Sequence, residues 1–97
     1  MATSNLSVEM SKSFGVMVGN MTLVFILDEA FRTGGTYADV RKSVDSAIEN
    51  ADKILALRLS AESQLRTMIE DKIGYARQTF CDSLERYLSS IPDPGSI

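Results

Sequence analysis

Apolar residues in the second and third parts of this chain recur at helical spacing. Between residues 40 and 59 they fall every three or four positions. Between residues 65 and 91 they form one stripe with steps of 4, 4, 3, 4, 4, 3 and 4. Apolar side chains at this spacing share one face of an α-helix and leave the charged side chains opposite. These two parts are therefore predicted to be amphipathic helices.

Glycine, proline and hydroxyl side chains divide the chain into three helical segments. Gly34 follows the first segment as a helix-ending residue, and Thr36 with Asp39 three positions on resembles a capping box. Ser60 is a candidate N-cap for the third helix, and Pro92 disfavours helix beyond residue 91. The pattern thus predicts an all-α, three-helix protein in a single domain over residues 1–97. The helices are expected at about 6–33, 36–59 and 60–91, with a disordered tail at 92–97.

The first segment contains a run of 15 residues without a charge, SFGVMVGNMTLVFIL, from Ser13 to Leu27. A membrane-spanning helix needs about 20 apolar residues, whereas this run is shorter, includes Asn20 and is bordered by charges. Residues 22–27 are β-branched and aromatic enough for a strand, which could pair only with a second subunit. The third interpretation is a helix that is apolar on several faces and must be covered on all of them.

We favour the buried helix, covered by a second copy of the same chain. Two amphipathic helices each offer one apolar stripe, so they leave part of this segment uncovered, and two-fold dimers are the commonest oligomers. Gly15 and Gly19 would let two backbones approach closely, and tyrosine is common at interface hot spots. The long first helix is thus predicted to pack in a homodimeric helical bundle. The predicted interface residues are Phe14, Gly15, Met17, Val18, Gly19, Met21, Phe25, Tyr37 and Tyr75.

Composition narrows the range of functions. The chain carries 10 basic and 13 acidic side chains, and no segment of it is basic, which argues against nucleic-acid binding. There is no histidine, and Cys81 is the one cysteine, so no catalytic residue, metal site or cofactor is predicted. The N-terminus lacks the basic region of a signal peptide, and we expect a cytoplasmic protein.

In the absence of a catalytic motif, the pattern favours a protein-binding function. We expect a small dimeric regulatory module that binds and inhibits or sequesters a partner such as a transcription regulator, by analogy of size, charge and helicity with small antiactivators. One alternative is a structural or chaperone-like component of a protein complex. Another is a membrane-active small protein that uses residues 13–27. The pattern leaves open which surface serves self-association and which serves a target.

Overall fold

The computed structural model describes residues 2–90, so the predicted tail at 92–97 lies outside the described residues. Helix α1 spans Ala2–Thr33 without interruption, and residues 22–27 are therefore helical. No strand occurs within residues 2–90, which confirms the all-α fold class.

The end of α1 is the one that the sequence predicts. Gly34 has a φ of 68°, a left-handed conformation that glycine adopts without steric cost. The N–H of Gly35 donates to the carbonyl oxygen of Ala30 over 2.7 Å. This is a Schellman motif, which satisfies a carbonyl group that the last turn of a helix would otherwise leave unpaired.

The predicted second helix is present as two helices, α2 at Tyr37–Glu49 and α3 at Ala51–Ser60. The capping box at the start of α2 is confirmed, because Thr36 Oγ1 accepts the Asp39 N–H and Asp39 Oδ2 accepts the Thr36 N–H. The break lies at Asn50, whose side-chain amide donates to the carbonyl oxygen of Ser46 over 2.8 Å. Such a local side-chain bond competes with regular helix, which explains the interruption.

The predicted third helix is also divided, so the count of three helices is not confirmed. Helix α4 spans Ser63–Ile69, a 3₁₀ turn covers Glu70–Lys72, and α5 runs from Ile73 to Ser90. Ser60 does not cap the third helix as predicted. Its hydroxyl donates to the carbonyl oxygen of Leu57, so it closes α3, and Ala61 and Glu62 then lie outside the helices.

Helix α5 runs parallel to α1, and the chain between them returns in the opposite direction. Along α1, Ser11 bonds to Lys72, and Gly19, further along the helix, lies against Phe80. The middle part reverses this order, since Val18 borders the same groove as Ile54 whereas the earlier Met10 borders one with Leu65. The topology is therefore up, down and up again, and its second leg is built from α2, α3 and α4.

The longest helix, α1, contributes few residues to the hydrophobic core. Twelve hydrophobic residues of the described chain are buried, and only Phe14 and Val18 belong to α1. The remaining ten come from α2, α3, α4 and α5. The radius of gyration is 15.0 Å, whereas a compact domain of this length has about 12 Å. The molecule is therefore elongated, and α1 keeps much of its surface outside the core.

Helix α1 is held to α5, and to the 3₁₀ turn before it, by a close contact at Gly15 and by side-chain to backbone hydrogen bonds. A Cβ added at Gly15 would fall on Thr79 Oγ1 and on the backbone carbonyl of Ala76. Thr79 Oγ1 also donates to the carbonyl oxygen of Lys12 over 2.9 Å. Ser11 is fully buried, and its hydroxyl donates to the carbonyl oxygen of Lys72 over 2.7 Å. The close approach that glycine permits is thus found inside one chain.

Candidate protein interface

The part of α1 that does not face α5 is apolar and exposed. Its most exposed side chain is Phe31, at 89%, and Leu57 of the neighbouring α3 is 77% exposed. The large exposed residues of this surface are Leu6, Met17, Val24, Phe25, Phe31 and Leu57. A phenylalanine side chain has a surface of roughly 200 Å² and an aliphatic side chain one of about 100 Å². Multiplied by their exposed fractions, these surfaces give about 550 Å² of exposed apolar area for the six residues. This is near the upper end of the roughly 300–600 Å² seen for the largest apolar patch of a typical monomer.

A groove between α1 and α3 forms one part of this surface. We call it the α1–α3 groove; it is lined by Val18, Met21, Thr22, Phe25, Ile54, Leu57, Arg58 and Ala61 and has a volume of about 400 Å³. Arg58 is its one charged lining residue. Arg58 Nε is buried and has no hydrogen-bond partner in the described part of the chain, and Arg58 Nη2 lies 3.9 Å from Glu62 Oε1. The groove thus combines apolar walls with an unsatisfied donor.

A second groove lies towards the start of α1, where α4 packs beside it. We call it the α1–α4 groove; its lining residues are Leu6, Glu9, Met10, Ser13, Phe14, Met17 and Leu65, and its volume is about 440 Å³. Its walls are again mostly apolar side chains. The exposed surface of α1 is therefore bordered by two apolar grooves, one along residues 6–17 and one along residues 18–25.

A regular row of residues follows the exposed side of α1. Its steps alternate between four and three residues from one end of the helix to the other. We call it the α1 seam, and it consists of Leu6, Met10, Ser13, Met17, Asn20, Val24, Leu27 and Phe31. Six of the eight are exposed, and Met10 and Leu27 are half-buried. A repeat of 3.5 residues is the spacing of the contact line between paired helices in coiled coils.

The structure separates the nine residues that the sequence predicts at an interface. Phe14, Gly15, Val18 and Gly19 are buried within the chain. The structure places the two glycines against α5 of the same chain, whereas the sequence pattern predicts their contact with a second copy. The reason is physical: only a residue without a side chain leaves room for Thr79 and the Ala76 carbonyl beside Gly15.

The other five predicted residues are accessible, but they do not form one site. Met17 and Phe25 are exposed and Met21 is half-buried, and all three lie on the apolar surface described above. Tyr75 is exposed elsewhere, with the Lys12 ammonium 5.8 Å from its ring centroid. Tyr37 is the first residue of α2 and lines none of these grooves.

The sequence-based prediction missed Leu6, Val24, Leu27, Phe31 and Leu57. A signal for the first four was present, since they belong to the 3.5-residue repeat of the α1 seam. Leu57 could have been recognised because it falls between Leu55 and Leu59, which are both buried. Residues two apart on a helix point to different sides, so an apolar residue there lies off the core stripe.

The described residues offer little that could perform chemistry. Cys81 lines a polar groove with Asp52 and Arg77, and burial, reinforced by the nearby Glu85 charge, raises the pKa of its thiol. A raised pKa disfavours the reactive thiolate. Within residues 2–90, no group of three or more His, Cys, Asp or Glu side chains is placed to hold a metal ion.

One described helix, Leu6–Thr33, is long and apolar enough to cross a membrane by length and composition alone. Its most apolar stretch has a mean hydropathy of 1.5, and 22% of that stretch is buried within the chain. A helix this apolar and this little covered has a surface that suits a partner or a lipid phase. Comparison with known protein families, curated proteins and solved structures finds no match to this chain.

Proposed function

We propose that this protein is a small regulatory binding module that captures an amphipathic helix of a partner protein in the α1–α3 groove. Occupying that helix would inhibit or sequester the partner. The single observation that carries the proposal is the exposure of Phe25 and Leu57, 67% and 77%, on the two walls of one apolar groove. Apolar grooves between helices bind partner helices through anchor residues three, four and seven positions apart.

Arg58 indicates the chemistry of the partner. A buried donor without an acceptor costs about 1–3 kcal/mol, and the Nε of Arg58 is in that state. Glu62 is too distant, at 3.9 Å, to form a good hydrogen bond with the guanidinium. The Arg58 side chain is 40% exposed, so a carboxylate from the bound helix can pair with the outer part of its guanidinium and compensate the positive charge. The expected ligand is therefore an amphipathic helix with apolar anchors and one acidic side chain at its edge.

The proposal can be tested by site-specific photo-crosslinking in source cells. A photoreactive amino acid at Leu57 is compared with the same group at Asp52, an exposed position of the same helix that borders a different groove with Arg77 and Cys81. The protein that is trapped from position 57 and not from position 52 is then purified, and its affinity is measured by calorimetry. We expect Leu57→Glu to weaken binding at least tenfold and Asp52→Asn to change it less than twofold. Equal trapping at both positions, or equal affinities of both variants, would contradict the proposal.

A membrane-active role is the second candidate, because α1 has the length and hydropathy of a membrane span. The contacts of α1 weigh against it. Ser11 and Lys12 are hydrogen-bonded to α5 and to the 3₁₀ turn before it, and α5 carries charged residues at Arg77, Asp82 and Glu85. Inserting α1 would require breaking these bonds or drawing charges towards the hydrocarbon, and both are costly. Flotation with phosphatidylcholine vesicles tests this role, since the capture function predicts that the protein stays in the soluble fraction.

A further inference from the structure

We infer that the α1 seam is the contact between two copies of this chain, packed as an antiparallel pair of α1 helices about a two-fold axis between Met17 and Asn20. The inference goes beyond the proposed capture of a partner helix, and it assigns each apolar surface of α1 to one occupant. The α1–α3 groove receives the target, and the α1 seam receives the second copy.

These two surfaces are separate on α1. Successive residues of a helix point about 100° apart, so Val24 of the seam and Phe25 of the groove face different directions. The two glycines that contact α5 lie on a third side. Helix α1 thus has one face for its own chain and two for other helices, and both can be occupied at once.

A second copy suits the α1 seam because the seam is complementary to itself. Its spacing of alternating four and three residues is the same in both directions, and none of its eight residues is charged. The exposed Asn20 lies near the middle, where an apolar partner would leave its amide unpaired. In the antiparallel register Asn20 is opposite Met17 of the second copy, and the two Asn20 residues lie about 4.5 Å apart along the helix axis. Their amides can offer each other a donor and an acceptor across the two-fold axis.

The exposed area of the α1 seam is that of a small interface. Its large apolar side chains, Leu6, Met17, Val24 and Phe31, expose about 340 Å², estimated from their exposed fractions as above. The half-buried Met10 and Leu27, the polar Ser13 and Asn20 and the backbone between them add further area. Phe25 and Leu57 belong to the α1–α3 groove and are not counted here. The pair is therefore expected at the low end of interface sizes, below the roughly 800 Å² per partner of a standard interface.

The antiparallel direction follows from the two ends of α1. Phe31, 89% exposed, stands at one end, and the α1–α4 groove beside Leu6 and Met10 lies at the other. An antiparallel pair places Phe31 of each copy at the α1–α4 groove of the other copy, so this contact forms twice in the dimer. A parallel pair would place Phe31 against its own copy and leave the groove open. In the antiparallel register Leu6 is opposite Phe31, and Ser13 is opposite Val24.

Cysteine crosslinking tests both the partner and the direction. Ser13→Cys and Val24→Cys are made separately in a Cys81→Ser background, and the full chains are oxidised with glutathione disulfide alone and as a mixture. We expect a disulfide-linked dimer in the mixture and none from either variant alone. In the antiparallel pair the two copies of position 13 are about 16 Å apart along the axis, which exceeds the reach of a disulfide. Disulfide-linked dimers from either single variant would mean a parallel pair and overturn the inference.

Light scattering provides an independent measurement. The wild-type protein is expected at twice its chain mass of 10.6 kDa, and Phe31→Ser is expected to raise the dimer dissociation constant at least tenfold with unchanged helicity. Leu57→Glu is the matched control, because it should weaken partner capture at least tenfold and leave the dimer intact. A monomeric wild-type protein would overturn the α1 pairing. That result would leave crosslinking from Leu57 unaffected, so the two proposals fail independently.

Discussion

Substituting Gly15 with alanine is expected to destabilise the fold, although alanine is the better helix former. The added Cβ would overlap Thr79 Oγ1 and the carbonyl oxygen of Ala76. The threonine side chain can rotate away, but the carbonyl belongs to the backbone of α5 and cannot move without moving that helix. The substitution therefore forces α1 and α5 apart.

The expected magnitude is a loss of about 2–4 kcal/mol in the free energy of unfolding. Overpacking a well-packed contact costs about 1–3 kcal/mol. Separating the helices also strains the bonds from Ser11 to Lys72 and from Thr79 to Lys12, each worth about 1 kcal/mol. The higher helix propensity of alanine offsets about 0.5–1 kcal/mol of this loss.

Urea denaturation followed by circular dichroism measures the effect. At about 4–8 °C per kcal/mol, thermal melting should show a fall of roughly 8–32 °C. All variants must be compared at one protein concentration, because association makes stability concentration-dependent. Gly74→Ala is the matched control: a Cβ there meets no atom within 4 Å, so the variant should match or exceed the wild-type stability by up to about 1 kcal/mol. Gly19→Ala, with Ser83 Cβ at 3.2 Å, should fall between them.

Two results would refute this reasoning. If the urea concentration at which half of the protein is unfolded is the same for Gly15→Ala and for the wild type, α1 and α5 do not approach as closely as the structure shows. If Gly15→Ala keeps its stability but loses dimerisation, the glycines serve the contact between copies that the sequence pattern suggested.

Four further outcomes are expected. Ser11→Ala should destabilise the fold by about 1–3 kcal/mol in urea denaturation, because it removes the donor to the Lys72 carbonyl in a fully buried position. Thr36→Ala should cost about 1 kcal/mol by removing the N-cap of α2. The backbone hydrogen bond from Thr36 lowers the pKa of Asp39 below 3.8, so the stability advantage of the wild type over Asp39→Asn should be complete above that pH and disappear as the pH falls through the lowered pKa. Cys81 should react with iodoacetamide more slowly in the folded protein than in urea, since burial raises the pKa of its thiol; equal rates would contradict this assignment.

The all-α class and the helix ends at residues 33–39 could be predicted because they depend on neighbouring residues. Helical spacing identifies the core stripe of α2, α3 and α5, and ten of the twelve buried hydrophobic residues lie in α2 to α5. Gly34 and the pair Thr36 and Asp39 act through bonds within a few residues of themselves. Because these interactions join residues that are close in the chain, the sequence alone is enough to predict them.

The division of the surface of α1 was decided only by tertiary structure. A helix that is apolar on several sides gives no indication of which side faces its own chain, and the pair Gly15 and Gly19 suits a crossing within a chain as well as one between chains. The structure resolves this because Thr79 and the Ala76 carbonyl of α5 occupy the space beside Gly15. The glycines therefore serve the core, and the apolar surface left for other helices lies around the helix at Val24, Phe25 and Phe31. Tertiary packing decides which side of α1 is buried, and the remaining sides are the ones left exposed to other helices.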